Sequence, residues 1–193
     1  MKHILVIIVF ISLFIFSCTP ASLFYYDFAM SNPFTNDDMS YSDEKIDAKF
    51  SISRTSINFQ IRNKTNEVLK IIWDEGAIIQ NGRSKRITHS GVNYINRGNY
   101  QPPTIIPANT RIDDSAIPTE NVYFREAYGT WFEKDLFIIK SRQSESTKAI
   151  LNQKGQKFSL YLPISYQGNN INYNFEFVIK DVAKLSNEAF SIE

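Results

Sequence analysis

Cysteine, histidine and glycine are scarce in this 193-residue chain, with one, two and seven copies respectively. A single cysteine, Cys18, leaves no thiol pair for an intrachain disulfide. Burial of apolar surface must therefore carry the stability of the fold. A structural zinc site draws three or four ligands from Cys, His and carboxylate. Beyond the N-terminal segment the chain offers His89 alone, so neither metal ligands nor a metal cofactor are expected. No glycine-rich phosphate loop is present. The acidic pairs Asp37-Asp38, Asp43-Glu44, Asp74-Glu75 and Asp113-Asp114 lack the central glycine and terminal glutamate of a calcium loop. An excess of either charge is also missing. There are 21 basic and 20 acidic residues, and loss of Lys2 with a leader would leave the two signs equal. That balance argues against the basic face a nucleic-acid partner requires and against a polybasic membrane patch. What the chain does have is aromatic: 15 Phe and 10 Tyr, a composition suited to strands rather than helices.

The N-terminus carries the sharpest signal. After Met1, Lys2 and His3 comes the apolar run Ile4 to Phe16, interrupted only by Ser12. As a helix it would measure roughly 20 Å, against the ~30 Å of a bilayer core. It is too short to span and fits the apolar region of a secretory signal. The segment Ile15-Phe16-Ser17-Cys18 resembles the lipobox of bacterial lipoproteins, with an aliphatic first position, a small residue before the cysteine, and the cysteine itself. The resemblance implies diacylglyceryl transfer to the Cys18 sulfur, cleavage before Cys18, and fatty (palmitate-type) acylation of the new amino group. The alternative is a short uncleaved helix with an inert cysteine. By the same analogy Thr19, rather than Asp, after the cysteine points to the outer membrane of a Gram-negative envelope. The absence of an acidic run in Thr19-Pro20-Ala21-Ser22 points to its periplasmic face.

Residues 1–17 are thus expected as signal peptide and 18–45 as a tether punctuated by Asn32-Pro33, Asn36-Asp37-Asp38 and Ser42-Asp43-Glu44. Within the tether, Leu23 to Phe28 is dense in aromatics and reads either as a patch resting on lipid headgroups or as an extra edge strand. The folded domain is expected over 46–182 and a frayed tail over 183–193. Period-two alternation at Phe50 and Ile52, then at Ile57, Phe59 and Ile61, predicts half-buried strands. A strand over Val68 to Trp73, a hairpin about Asn81-Gly82 and a strand over Arg111 to Ile117 follow. Leu136 to Lys140 predicts a short strand, and Lys148 to Asn152 a helical turn. A closing hairpin runs over Lys157 to Val182, turning at Gln167 to Asn170. Residues 90–104 and 118–135 read as long connections, which in compact domains are commonly functional. The fold class is all-β: an antiparallel two-sheet immunoglobulin-like sandwich of seven to nine strands, with a small closed barrel as its rival. Four features resemble small bacterial lipoproteins with an immunoglobulin-like domain. They are the paired strands before Asn63-Lys64-Thr65, the Ile71-Ile72-Trp73 strand, the Ile106-Pro107-Ala108 lead-in and the Leu160-Tyr161-Leu162-Pro163 hairpin. Asn63-Lys64-Thr65 also matches a glycosylation sequon and is read as a turn.

Candidate chemistry is sparse. His89 with Ser90 and Asp74 has the residue types of a hydrolytic triad but no nucleophile-elbow pattern. No catalytic residue is assigned. The segment Tyr123 to Phe132 is rich in the Tyr, Trp and Arg that dominate interface hot spots. Trp73, His89, Tyr94, Tyr123, Phe124, Tyr128 and Trp131 form the candidate interaction surface. Trp73 and the aromatic segment also have structural readings, as core and as a loop folded over the core. The leading expectation is a lipid-anchored binding or accessory protein of the cell envelope, without enzymatic activity, contacting another envelope protein. A hydrolase of envelope glycans or peptides using carboxylates such as Asp74, Glu75 and Asp113, and a purely structural lipoprotein, are the alternatives.

Overall fold

A computed structural model describes residues 21–185. The segment read as a signal peptide, Cys18 and residues 186–193 of the expected tail lie outside the described residues. The described chain is mostly β, with one large curled antiparallel sheet and a small two-stranded one. The strands are β1 (Ser22–Asn32), β2 (Ser40–Ser42), β3 (Ile46–Ile52), β4 (Ile57–Asn63), β5 (Leu69–Ile71), β6 (Ala77–Gln80) and β7 (Arg83–His89). They continue with β8 (Thr104–Ile106), β9 (Arg111–Pro118), β10 (Val122–Arg125), β11 (Thr130–Glu133), β12 (Lys140–Ser141), β13 (Lys157–Tyr166) and β14 (Asn169–Lys184). A single α-helix among the described residues, α1 (Ser144–Leu151), precedes β13.

The large sheet runs β12-β1-β14-β13-β6-β7-β9-β4-β3-β2, with β5 joining β13 to β8. Its curl follows from one packing fact. β3 and β14 stand six places apart in that order, which on a flat sheet with ~4.8 Å spacing would separate them by nearly 30 Å. Yet the Phe50 ring of β3 lies 4.5 Å from that of Phe175 and 5.4 Å from that of Phe177 on β14. The inward residues of β3 and β4 therefore face those of β13 and β14. Phe50, Phe59, Ile61, Trp73, Leu160, Leu162, Phe175 and Phe177 share one buried cluster. Alternation explains who is inside: on β4 Ile57, Phe59 and Ile61 are buried while Asn58 and Gln60 are half-exposed.

Several expectations need correction. The stretch read as a tether over 18–45 supplies β1 and β2, and β1 pairs along β14 from Phe24↔Lys184 to Asn32↔Glu176. Leu23 to Phe28 is thus strand, the second of its two readings. The folded unit begins well before residue 46, and β14 runs past residue 182 to Lys184. The described residues hold more than the seven to nine strands expected. The 118–135 connection contains the β10–β11 hairpin. Only Lys140–Ser141 of the region 136–141 is strand, and the helix starts at Ser144 rather than near Lys148. The polar clusters taken as linker are turn chemistry instead. Asp43 Oδ1 accepts from the Lys45 and Ile46 amides, both at 2.7 Å, and so caps the turn between β2 and β3.

Candidate functional site

The β10–β11 hairpin stands outside the main sheet. Its register pairs Val122↔Glu133, Tyr123↔Phe132, Phe124↔Trp131 and Arg125↔Thr130. Gly129, at φ +60°, closes the tip in the left-handed conformation that glycine adopts without strain. At the root, Lys134 N donates to Asn121 O at 2.9 Å, Leu136 N donates to Arg54 O at 2.8 Å, and Val122 and Leu136 are buried. The base is therefore fixed to the body while the tip projects.

Alternation sorts the side chains onto two faces. One face carries Tyr123, Arg125 and Phe132. Tyr123 and Phe132 stack at 6.1 Å, and Tyr128 meets Phe132 edge-on at 5.7 Å. The Arg125 guanidinium lies 4.9 Å from the Phe132 ring centre and 5.3 Å from that of Tyr123, with Lys134 5.6 Å from Tyr123. The other face carries Phe124, Trp131 and Glu133, and here the 90–104 loop docks. Tyr94 packs edge-on to Trp131 at 6.3 Å, Arg97 sits 4.7 Å over the indole, and the Tyr94 hydroxyl donates to Glu133. Burial, reinforced by that hydrogen bond and by the Glu133 charge, pushes the Tyr94 phenol up to about 12. Phe124 is 47% exposed and Tyr128 68%. Large aromatic area, cations within about 6 Å of ring centres and a fixed root suit recognition rather than bond making.

The loop that backs the hairpin is tied down by its own contacts. Arg86 donates to Gly98 O at 2.8 Å and to Asn99 O at 2.7 Å, and Gln101 Nε2 donates to Ile87 O at 2.8 Å. Four of the seven candidate residues, Tyr94, Tyr123, Phe124 and Trp131, are thus assembled on or against one ribbon, with Tyr128 at its tip. Trp73 and His89 are elsewhere. Trp73 is fully buried, donates its indole N–H to Thr104 Oγ1 at 2.8 Å, and stacks on His89. It is core, as its structural reading had it. Arg97, Glu133 and Lys134 belong to the site but were not singled out from sequence. Only their positions next to candidate aromatics marked them.

The triad residue types do not assemble. Ser90 Oγ donates to Asp114 Oδ1 at 2.6 Å rather than to His89, whose Nδ1 lies 3.0 Å from Asp114 Oδ2. Asp74 instead pairs with Arg86. The other carboxylates considered for hydrolysis are engaged separately: Glu75 accepts from Asn170 Nδ2 at 3.2 Å and Asp113 from Gln60 Nε2 at 2.7 Å. Among the described residues no group of three or more His, Cys, Asp or Glu gathers as metal ligands, and no helix is long and apolar enough to cross a membrane. No family model matches the chain, and neither the curated proteins nor the solved structures give a match.

Proposed function

We propose that this chain is a lipid-anchored protein of the bacterial cell envelope that binds another envelope protein through the β10–β11 hairpin and the 90–104 loop, without catalysis. The observation carrying this reading is the hairpin itself. Two aromatic residues on each strand, Tyr123 and Phe124 opposite Phe132 and Trp131, place rings on both faces, and Phe124 and Tyr128 remain substantially exposed. A partner that covers them removes from water the exposed share, roughly half to two-thirds, of the ~150–250 Å² that a fully buried aromatic residue hides. The finer fold assignment belongs to the same proposal. The packing of Phe50 of β3 against Phe175 and Phe177 of β14 supports an immunoglobulin-like two-sheet sandwich. The lipobox-like Ile15-Phe16-Ser17-Cys18 supports an anchor at Cys18, on the periplasmic face of the outer membrane where the host has one. Cross-linking in native membranes tests the surface. Alanine at Tyr123, Tyr128 and Trp131 together is expected to eliminate the cross-linked partner while the thermal unfolding of the body is retained. Unchanged partner recovery in the triple variant rejects the hairpin as the binding surface. Fatty-acid labelling that survives Cys18→Ser rejects the anchor.

A further inference from the structure

Only Thr19, Pro20 and Ala21 separate Cys18 from the first residue of β1, Ser22. Four Cα steps of at most ~3.8 Å keep Ser22 within about 15 Å of the cysteine. A headgroup layer is roughly 5–8 Å thick, half the difference between the ~30 Å hydrocarbon core and the ~40–45 Å bilayer. A sulfur carrying diacylglycerol sits at the boundary of that core. The first strand then has about 10 Å or less of clearance above the headgroups, and the folded body starts at the membrane instead of at the end of a long leash.

The surface at this end suits such contact. Tyr25 is 58% exposed, Ile138 59% and Leu185 38%. Leu185 and Ile138 flank the start of β1: Leu185 N donates to Leu23 O at 2.9 Å, and the Tyr26 hydroxyl donates to Ile138 O at 2.8 Å. Cations flank them. Lys140 stands opposite Leu23, Lys184 stands opposite Phe24, and both are exposed, as is Arg142. The acidic groups nearby are Glu145, which is exposed, Asp27 and Asp37, which share Lys180 at 3.6 and 2.9 Å, and Asp181, which faces Lys154 at 3.0 Å. Exposed Tyr, Ile and Leu among Lys and Arg are the side chains that settle at the headgroup level of an anionic bilayer.

We infer that the start of β1, the end of β14 and residues 138–142 form a seating face that rests on the anionic phospholipid surface around the anchor. This deepens the proposed function and depends on its reading of Cys18 as the lipidated residue. It also fixes an orientation. β14 has 16 residues, so at ~3.3 Å each its first residue, Asn169, stands about 50 Å along the strand from Lys184.

Acylation of the lone cysteine makes the test clean, because any introduced cysteine is then the only free thiol. Full-length protein with Tyr25→Cys, Ile138→Cys or Asn169→Cys is purified from membranes and labelled with an environment-sensitive fluorophore. It is then placed in phosphatidylethanolamine–phosphatidylglycerol vesicles with or without shallow nitroxide lipid. The seating face predicts at least about two-fold quenching and a blue-shifted emission at positions 25 and 138, with little change at 169. Equally weak quenching at 25, 138 and 169, in protein whose Cys18 carries a metabolic fatty-acid label, overturns the seating face and leaves the anchor standing. Absence of that label overturns anchor and seating face together.

Discussion

The imidazole of His89 lies flat on the indole of Trp73, ring centres 4.3 Å apart and planes 5° from parallel, while its Nδ1 faces Asp114 at 3.0 Å. The stack joins the buried core to the β7–β9 ladder, and Asp114 is the keystone of its polar side. Asp114 also accepts from Ser90 N at 3.1 Å, Ser90 Oγ at 2.6 Å and Ser115 N at 2.8 Å. This is a structural pin, with both carboxylate oxygens engaged in holding β7 and β9 together.

Asp114 should therefore govern part of the acid stability. Burial alone would raise its carboxyl, but hydrogen bonds from His89, Ser90 and Ser115, helped by the His89 charge, hold it below the ordinary carboxylate value. A depressed folded-state pKa contributes stability above the unfolded value, ~3.9 for Asp, and loses it as pH falls through the folded value. Asp114→Asn is expected to cost about 1.5–3 kcal/mol at pH 7, the range for hydrogen bonds to a charged group. Its urea midpoint should then decline less than that of the parent between pH 7 and pH 3. Parallel acid declines in the two proteins would remove Asp114 from this role.

Asn63 offers a sharper substitution. It is fully buried, and its Nδ2 donates to Glu67 O at 2.7 Å, Ile106 O at 3.0 Å and Pro107 O at 3.1 Å. Its Oδ1 accepts from Thr65 N at 2.9 Å and Thr65 Oγ1 at 2.8 Å. Asn63→Asp turns a donor into an acceptor facing three carbonyls and buries a charge, so a loss of about 3 kcal/mol or more is expected. Asn63→Ala should cost about 2 kcal/mol. Chemical denaturation of the pair should rank Asp below Ala. The same burial closes the Asn63-Lys64-Thr65 sequon to modification in the folded protein, in keeping with its reading as a turn.

Asp43 ties two tyrosines to the β2–β3 turn. Its Oδ2 accepts from Tyr173 OH at 2.9 Å and Tyr41 OH at 3.1 Å. Desolvation, then the Asp43 charge and hydrogen bond, push the Tyr41 phenol up to about 12, and Tyr173 is raised further by the same causes. A raised folded-state pKa preserves stability below the unfolded value of ~10 and loses it as pH climbs through the folded value. Phenolate absorbance from these two rings should hence appear only well above pH 10, with stability falling as they ionise. In Asp43→Asn, Tyr41 should ionise closer to pH 10. An unchanged phenolate titration in that variant would refute the coupling.

How far the sequence could be read depended on whether periodicity survived. β3 and β4 were legible because Phe50, Phe59 and Ile61 alternate with polar residues, and the β6–β7 hairpin because Asn81 and Gly82 adopt the positive φ values, 52° and 71°, that this dipeptide favours. β1 was ambiguous because the apolar Leu23, Tyr25 and Ala29 between them mask the alternation of Phe24, Tyr26, Phe28 and Met30, which pack into the core. The irregularity lies in its pairing, where Lys180 of β14 is the extra residue between the partners of Asp27 and Phe28. The β10–β11 hairpin was legible as an aromatic segment but not as strands, since both of its faces are aromatic and no polarity period remains. The His89–Asp114 contact was hidden because β7 pairs with β9 across the whole 90–104 loop and β8. Nothing local in either strand marks a partner that distant.

Gly76 isolates the effect of space from that of backbone conformation. Its φ is −75°, open to any residue, but a Cβ there would meet Ile87 Cδ1 at 2.7 Å and Trp73 O at 3.2 Å. Ile87 is fully buried and packs in the cluster that holds Trp73. Gly76→Ala is therefore an overpacking change, expected to cost about 1–3 kcal/mol. Ile87→Val removes the clashing methyl and alone should cost about 0.5–1.5 kcal/mol. Combined with Gly76→Ala it should restore part of the loss, a coupling of about 0.5 kcal/mol or more between neighbours. Strictly additive losses in that double-mutant cycle would show that the penalty at Gly76 comes from somewhere other than the Ile87 contact.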